Sequence, residues 1–357
     1  MINTKIMAGK NVIDRLNFES VYSKAKSVLV ITDVFGGFNC TKFKIKKAFS
    51  KDIKINFIKI KDNNYASFEN VDKCLAIANA NNVDCIICVG SEIAINVGKA
   101  VNANLNKQLI CIITMEGNHQ SILSSHYELI KEDTNILYAI SKSGAIPNVV
   151  MIEAKLLDKF GEIARLGMEL GILIMSLLTI TNVNDECEKL NSISALGIVG
   201  KQESVSLVDL VTAEMLVGYD FISIPKNVLH EFILRAVRFT DVNYSLILAL
   251  IMKKSINKIV QAISYEDIRI LGNLYGINAT DIEDWKEQLY KVINNKIINY
   301  FVEKDIPSVI NEIGLNSKEI EIIAEEIFAI KQQNNEEEEI WLNNLSKIKD
   351  LVYGNYE

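Results

Sequence analysis

With 357 residues, the chain is long enough to form two domains with substantial hydrophobic cores. Hydrophobic residues make up 49% and charged residues 23%, which is ordinary for a globular protein, and the net charge of −7 argues against a nucleic-acid-binding surface. The longest apolar stretch, Leu170 to Ile180, is too short to span a bilayer and the N-terminus lacks the apolar segment of a secretory signal, so we expect neither a nucleic-acid nor a membrane partner.

The first half of the chain alternates short apolar runs with helical patterns, as a parallel α/β domain does. The predicted strands are Ser27–Thr32, Ile53–Lys59, Cys85–Val89, Gln108–Ile113 and Val149–Ile152, and the predicted helices between them include Asn70–Asn81 and Ile95–Asn104. From about Leu156 onwards apolar residues recur three and four positions apart, for example over residues 281–301, which predicts helices. We therefore predict an α/β domain, residues 1–157, followed by an all-helical domain, residues 158–357.

Six cysteines are present, two of them in the stretch Cys85-Ile-Ile-Cys88. That spacing is typical of a metal or redox pair, but it lies within a predicted strand, where residues three apart point to opposite faces. A chain of this length does not need disulfides to stabilise its core. We interpret the cysteines as buried thiols, which fits a reducing, cytoplasmic location.

Residues 85–101, CIICVGSEIAINVGKAV, combine a buried strand, a tight turn and the start of a helix. This arrangement favours phosphate binding, because the free N–H groups of a helix N-terminus point at the anion. Phosphate-binding loops usually contain several glycines, which let the backbone approach the ligand closely. Here only Gly90 stands in the turn, and Glu92 places a negative charge beside it.

Four segments, in the right order, resemble motifs of the iron-containing (group III) alcohol dehydrogenases. CIICVGSEIAINVGKAV is similar to that family's strand followed by GGGSPIDxxKA, and SVLVITD at 27–33 to its first strand. AIPNVVMIEAKLLDKF at 145–160 is similar to its LPDVxIxDPELLxxLP segment, and DIPSVINEIGLNSKEIEIIAEEI at 305–327 to its C-terminal GIPxxLxELGVxxxDIxxLAEEA segment. The resemblance implies a nucleotide-binding α/β domain with a parallel sheet and then an all-α domain, the dehydroquinate synthase-like architecture.

The resemblance also implies which residues contact the dinucleotide. The matching positions are Asp33, Gly90, Ser91, Asn96, Lys99 and Thr114. Four of the family's loop residues are replaced here: its second and third glycines fall on Ser91 and Glu92, its serine on Ile93 and its aspartate on Asn96. Like charges about 4 Å apart at an effective dielectric of about 20 cost on the order of 4 kcal/mol. That is roughly half of the ~8 kcal/mol of a micromolar complex, so we expect a poor phosphate site.

The family's metal ion is held by one aspartate and three histidines, and it polarises the substrate oxygen for hydride transfer. In LGMELGILIMS at 166–176, Glu169 stands at the aspartate position and Leu173 at the first histidine position. Phe239 falls on the last histidine, and the remaining ligand falls near Pro225. Neither Leu nor Phe can bind a metal. We therefore expect no family-type metal site.

Only three histidines occur, His119, His126 and His230. We expect His119 to be an exposed loop residue and His230 to be a half-buried residue on a helix. Both remain weak candidates for a catalytic role, because a histidine beside a cleft can move protons.

Three functional hypotheses stay open. In the first, which we favour, both sites are degenerate, no cofactor is bound, and the chain survives as a binding, assembly or regulatory protein. In the second, it is an active NAD(H)-linked alcohol dehydrogenase or aldehyde reductase with non-standard residues, which would use NAD(P) and Fe²⁺ or Zn²⁺. In the third, it is a metal-independent enzyme that reuses the interdomain cleft with Glu169, His119 or His230. The expected partners are a second copy, an intact paralogue of the same fold, or a small molecule that the sequence does not identify.

Overall fold

The computed structural model describes most of the chain. The described residues are 4–18, 25–33, 38–60, 65–114, 119–157, 161–183, 185–200, 205–224, 227–240, 242–303, 309–333 and 338–353. The chain divides into two compact units, residues 1–160 and residues 161–357.

The first unit is built on a six-stranded sheet in which every pair of neighbours is parallel. Its strands are β1 (Lys5–Gly9), β2 (Ser27–Thr32), β3 (Lys54–Lys59), β4 (Cys85–Gly90), β5 (Gln108–Ile113) and β8 (Val149–Glu153). Their order across the sheet is β1-β8-β5-β4-β2-β3. All residues of β2 and β4 are buried, as parallel strands covered on both faces require. Each of the five strands predicted from the sequence is therefore confirmed to within one residue.

Among the described residues of this unit, four α-helices, two 3₁₀ helices (Val12–Phe18 and Ser143–Ala145) and a separate hairpin accompany the sheet. The helices are α1 (Phe38–Ala48), α2 (Phe68–Ala80), α3 (Glu92–Leu105) and α4 (Ala154–Leu157), and the hairpin strands are β6 (His126–Lys131) and β7 (Ile136–Ser141). Helix α3 contacts β4, β5, α2 and β6. Because neighbours surround it, every residue from Ile93 to Asn102 is buried.

The sequence predictions missed β1, the β6–β7 hairpin and α1. Strand β1 is short and lies at an edge of the sheet, where part of it stays exposed and the apolar signal is weak. Helix α1 buries only Thr41, Ile45 and Ala48 among its described side chains, so its lysine-rich sequence carries little periodicity.

The second unit consists of helices and short 3₁₀ turns. The helices are α5 (Glu162–Asn182), α6 (Glu186–Gly200), α7 (Leu207–Ser223), α8 (Val228–Ala236), α9 (Tyr244–Met252), α10 (Ile256–Ala262), α11 (Tyr265–Leu274), α12 (Ile282–Glu303), α13 (Ser317–Gln333) and α14 (Glu338–Tyr353). Helix α5 packs against α6, α7 and α9 and so forms the centre of the bundle. The predicted all-helical second domain is confirmed.

Helix α5 is longer than the apolar stretch noted in the sequence. Its segment Arg165–Asn182 is long and apolar enough for a membrane span by length and composition, and 72% of it is buried inside the protein. Burial of this kind is typical of the core helix of a bundle, so the segment is weak support for a membrane span.

Candidate functional site

Asp33 and Ser91 meet where two neighbouring strands end. β2 and β4 are parallel, so the residues that follow them lie at the same edge of the sheet. The buried carboxylate of Asp33 accepts hydrogen bonds through Oδ2 from the Ser91 backbone N–H, at 2.7 Å, and from Ser91 Oγ, at 2.6 Å. Gly90 has a φ of +143°, and a Cβ there would lie 2.4 Å from Asp33 Oδ1. The glycine is therefore required by the Asp33 carboxylate as well as by the turn.

The N-terminus of α3 is capped from within. Ser91 Oγ accepts the N–H of Ile93 at 3.2 Å, and the Ser91 carbonyl accepts that of Ile95 at 3.2 Å. Glu92 is the first helical residue, where its carboxylate suits the positive end of the helix dipole. Two carboxylates thus lie at the end of α3 that would otherwise attract an anion.

Asn96 and Lys99, one turn and two turns further along α3, contact the segment around the hairpin. Asn96 donates from Nδ2 to Glu128 Oε2 at 3.0 Å, and the fully buried Lys99 Nζ donates to the Ser121 carbonyl. Burial lowers the pKa of the Lys99 amine to about 8, although Cys111 and Glu128 act in the opposite direction. Both side chains serve internal contacts.

Thr114 and His119 flank residues 115–118, which lie outside the described part of the chain. Thr114 is buried at the end of β5, and its Oγ1 has no hydrogen-bond partner among the described residues. His119 is fully buried, so the prediction of an exposed loop histidine was wrong. The cause is that residues 119–124 are all buried, and the Ser121 carbonyl in this segment accepts a hydrogen bond from Lys99 on α3.

Four of the six cysteines are free, buried thiols in this unit, namely Cys74, Cys85, Cys88 and Cys111. Burial raises the pKa of Cys74 to about 12 and raises the pKa of Cys88 as well. Cys88 Sγ would lie 1.8 Å from a Cβ on Gly98, so it fills the contact between β4 and α3. The interpretation as buried thiols is confirmed for these four; the side chains of Cys40 and Cys187 lie outside the described residues.

In the helical unit, Glu169 forms an ion pair with Arg165. Its Oε1 is 3.4 Å from Arg165 Nε one turn earlier on α5, and both side chains are about a third exposed. Arg165 also donates from Nη2 to the Val205 carbonyl. Burial lowers the pKa of Lys296 on α12, and the charge of Glu169 acts in the opposite direction.

Leu173 and Phe239 have different environments. Leu173 is buried in α5. Phe239 ends the 3₁₀ turn Val237–Phe239, is half-buried, and has the Arg238 guanidinium 5.4 Å from its ring centroid. Leu173 is therefore buried and Phe239 is not, because Phe239 lies in a turn between two helices. Pro225 lies outside the described residues.

His230 belongs to the core of the helical unit. Its Nδ1 is 2.9 Å from the Tyr244 hydroxyl, and its ring packs edge-to-face on Phe221 with centroids 6.0 Å apart. The prediction of a half-buried surface residue was wrong, since α9 covers this part of α8.

No protein-family model matches the sequence, and no curated protein matches it. Solved structures do match. The NADH-dependent butanol dehydrogenase A of Thermotoga maritima superimposes with a TM-score of 0.77 at 12% identity, over 100% of this chain and 98% of that chain. An alcohol dehydrogenase from Oenococcus oeni superimposes with a TM-score of 0.75 at 18% identity, over 99% of this chain and 98% of that chain. An iron-containing alcohol dehydrogenase from Thermococcus thioreducens superimposes with a TM-score of 0.70 at 17% identity, over 92% of each chain.

This chain has the fold of the iron-containing alcohol dehydrogenases. The architecture implied by the sequence resemblance is thereby confirmed, at identities that establish the fold and leave the chemistry to the residues.

The residues at the metal position of the iron-containing alcohol dehydrogenase fold do not fit a divalent ion. No group of three His, Cys, Asp or Glu side chains that could hold a metal is present in the part of the chain that the structure describes. Glu169, the oxygen ligand that the sequence resemblance leaves at this position, is paired with Arg165, whose positive charge opposes a cation.

The position that the resemblance assigns to the nucleotide fits a pyrophosphate poorly, because its hydrogen-bond donor is already in use. The Ser91 N–H, which would point at a phosphate, already donates to Asp33.

The partners Glu128, Ser121 and Lys296 were all missed by sequence reasoning. Nothing in the local sequence signals them, because each comes from an element distant along the chain.

Proposed function

We propose that this chain keeps the fold of the iron-containing alcohol dehydrogenases without their metal-dependent chemistry, and that it acts as a binding, assembly or regulatory protein. The observation that carries this proposal is the environment of Glu169. Its carboxylate pairs with Arg165, and the buried Leu173 lies one turn further along α5. A catalytic metal usually needs three or more protein ligands with oriented neighbours, and this cluster offers one.

The nucleotide position supports the same proposal. Asp33 and Glu92 present two negative charges at the end of α3, and the Ser91 N–H is used internally. A dinucleotide would have to displace Asp33 and bear the repulsion of Glu92. We infer that NAD(H) does not bind with useful affinity.

A second candidate is an NAD(H)-linked alcohol dehydrogenase or aldehyde reductase that uses different groups. One observation favours it: the buried Oγ1 of Thr114, which has no partner within the described part of the chain, could accept or donate a hydrogen bond to a ligand. The neighbours with this fold include proteins named as NADH-dependent or crystallised with NAD⁺, so nucleotide binding must be tested directly.

The test combines metal analysis with nucleotide binding and turnover. The protein is produced with added Fe, Zn, Mn and Ni, and its metal content is measured beside that of Glu169→Gln and of the exposed control Glu283→Gln. We expect far less than one metal ion per chain in all three, and no rise in melting temperature with NADH. Stoichiometric metal that is lost in Glu169→Gln and kept in Glu283→Gln, or NADH-linked turnover of a short alcohol or aldehyde, contradicts the proposal and supports the second candidate.

A further inference from the structure

Residues 42–60 carry a charge opposite to that of the rest of the chain. They contain seven lysines and one acidic residue, Asp52, which gives +6; since the whole chain carries −7, the remainder carries −13. The lysines are Lys42, Lys44, Lys46, Lys47, Lys51, Lys54 and Lys59. We call them the lysine face.

Helix α1 and strand β3 bring two of these lysines over one aromatic ring. Lys42 Nζ and Lys46 Nζ lie 5.2 Å and 5.8 Å from the ring centroid of Phe57 on β3, and Lys59 follows Phe57 on the same face of the strand. Phe43, between Lys42 and Lys46 in sequence, is 70% exposed. The exposed ring offers an apolar contact beside the positive charges.

Strand β3 lies at an edge of the sheet. Lys54 N–H donates to the Lys26 carbonyl and Ile60 N–H to the Thr32 carbonyl, each at 2.9 Å. Since strand residues alternate, Ile55 and Lys59 direct their N–H groups away from β2. An extended segment of another chain can add to such an edge as a new strand.

Lysines on an edge strand also discourage two copies from pairing, and Lys54 and Lys59 alone would do that. That role does not account for the lysines on α1 or for the exposed Phe43. The additional charges therefore point to a ligand.

Charge decides which ligand fits. The lysine face contains no arginine, so it lacks the planar fork that binds phosphate in two-point contacts. A long polyanion or a flat anionic membrane would also meet the −13 of the remainder, whereas a short acidic segment covers the lysine face alone, because screening limits interactions to about 8 Å at physiological salt. We propose that the lysine face binds an extended segment of a partner protein, rich in Glu or Asp, which adds as a strand along β3.

The test uses a fluorescent octapeptide of alternating Glu and Val, with a Gln–Val octapeptide as the uncharged control. Binding is measured by anisotropy for the full chain, for Lys46→Glu/Lys59→Glu, and for Lys107→Glu/Lys142→Glu, which makes the same charge change at exposed lysines elsewhere in the unit. We expect the Glu–Val affinity to fall at least tenfold in the first variant and less than twofold in the second, by electrostatic complementarity. Lys47→Glu/Lys51→Glu replaces the first variant if loss of the Phe57 contact impairs folding.

Hydrogen exchange provides the second measurement. The bound Glu–Val peptide should slow exchange of the Ile55 and Lys59 amides. Equal loss of binding in the two variants, or unchanged exchange along β3, overturns the proposal. So does tighter binding of single-stranded oligonucleotide or of phosphatidylserine vesicles than of the peptide, and so does self-association that disappears in Lys46→Glu/Lys59→Glu, which would make a second copy the occupant. None of these outcomes depends on whether the chain binds metal or NADH.

Discussion

Lys99 shows how burial sets the properties of a single side chain in this protein. Its amine has no exposed surface and donates to the Ser121 carbonyl. Burial disfavours the charged form and lowers the pKa from its ordinary value of 10.5 to about 8. At pH 7 the amine is protonated in both the folded and the unfolded chain, so the cost of burying the charge is present in full.

We predict from this shift that the contribution of Lys99 to stability rises with alkaline pH. Between pH 8 and pH 10.5 the unfolded chain binds the Lys99 proton and the folded chain has released it, so this group increases the free energy of unfolding as the pH rises. The buried thiols of Cys74 and Cys88 act in the opposite direction, because their raised pKa values lower stability at alkaline pH. The Lys99 contribution is therefore measured as a difference, by urea denaturation at pH 7.5 and pH 9.5 of the wild type, Lys99→Met and the exposed control Lys142→Met. The change in free energy of unfolding from pH 7.5 to pH 9.5 should be less favourable in Lys99→Met than in the wild type and the same in Lys142→Met; an identical change in all three chains refutes the assignment to Lys99.

At the scale of the elements, a buried ion pair joins α6 to α11. Lys189 Nζ lies 2.8 Å from Asp267 Oδ2, and their side chains are 7% and 2% exposed. Ser264 Oγ, which caps α11, donates to the same oxygen at 2.7 Å. A buried pair contributes little compared with an apolar pair, but removal of one partner leaves an uncompensated charge in the core.

We therefore expect Lys189→Ala to reduce the free energy of unfolding by about 3–5 kcal/mol. Lys291→Ala is the matched control, since Lys291 pairs with Glu287 at 2.6 Å but both side chains are more than 60% exposed. Its effect should stay below about 0.5 kcal/mol. Thermal and urea unfolding of both variants measure the difference, and similar values for the two would contradict the role of burial.

At the scale of the whole molecule, the described residues form both units without a metal cluster. Apolar side chains fill the sheet-centred core of the first unit and the bundle around α5 in the second. Among the residues that the structure describes, no three potential metal ligands lie together.

Chelation should consequently leave the fold unchanged. We expect the melting temperature with EDTA to stay within about 1 °C of that of the untreated protein, because only a ligand that binds the folded state shifts it. A fall in melting temperature that Zn²⁺ or Fe²⁺ restores would reveal a structural metal. Glu169→Gln would then show whether that metal lies at the position discussed above.

How much the sequence predicts differs between the elements. Strands β2, β4 and β5 can be recognised in the sequence as apolar runs, because parallel strands covered on both faces contain few polar residues. The β6–β7 hairpin contains polar residues such as Glu128 and was missed, although it supplies the partner of Asn96. A half-buried element has only a weak hydrophobic pattern in the sequence, and the β6–β7 hairpin is such an element although it forms part of the candidate site.

By itself the sequence determined the succession of an α/β sheet and a helical part, and it showed that Leu173 and Phe239 cannot be metal ligands, since residue type alone decides whether a side chain can bind a metal. Only the tertiary structure decided that Asp33 accepts from Ser91, 58 positions away. The physical reason is that such contacts join residues distant in the chain. Folding, not local spacing, brings these charges to their neighbours.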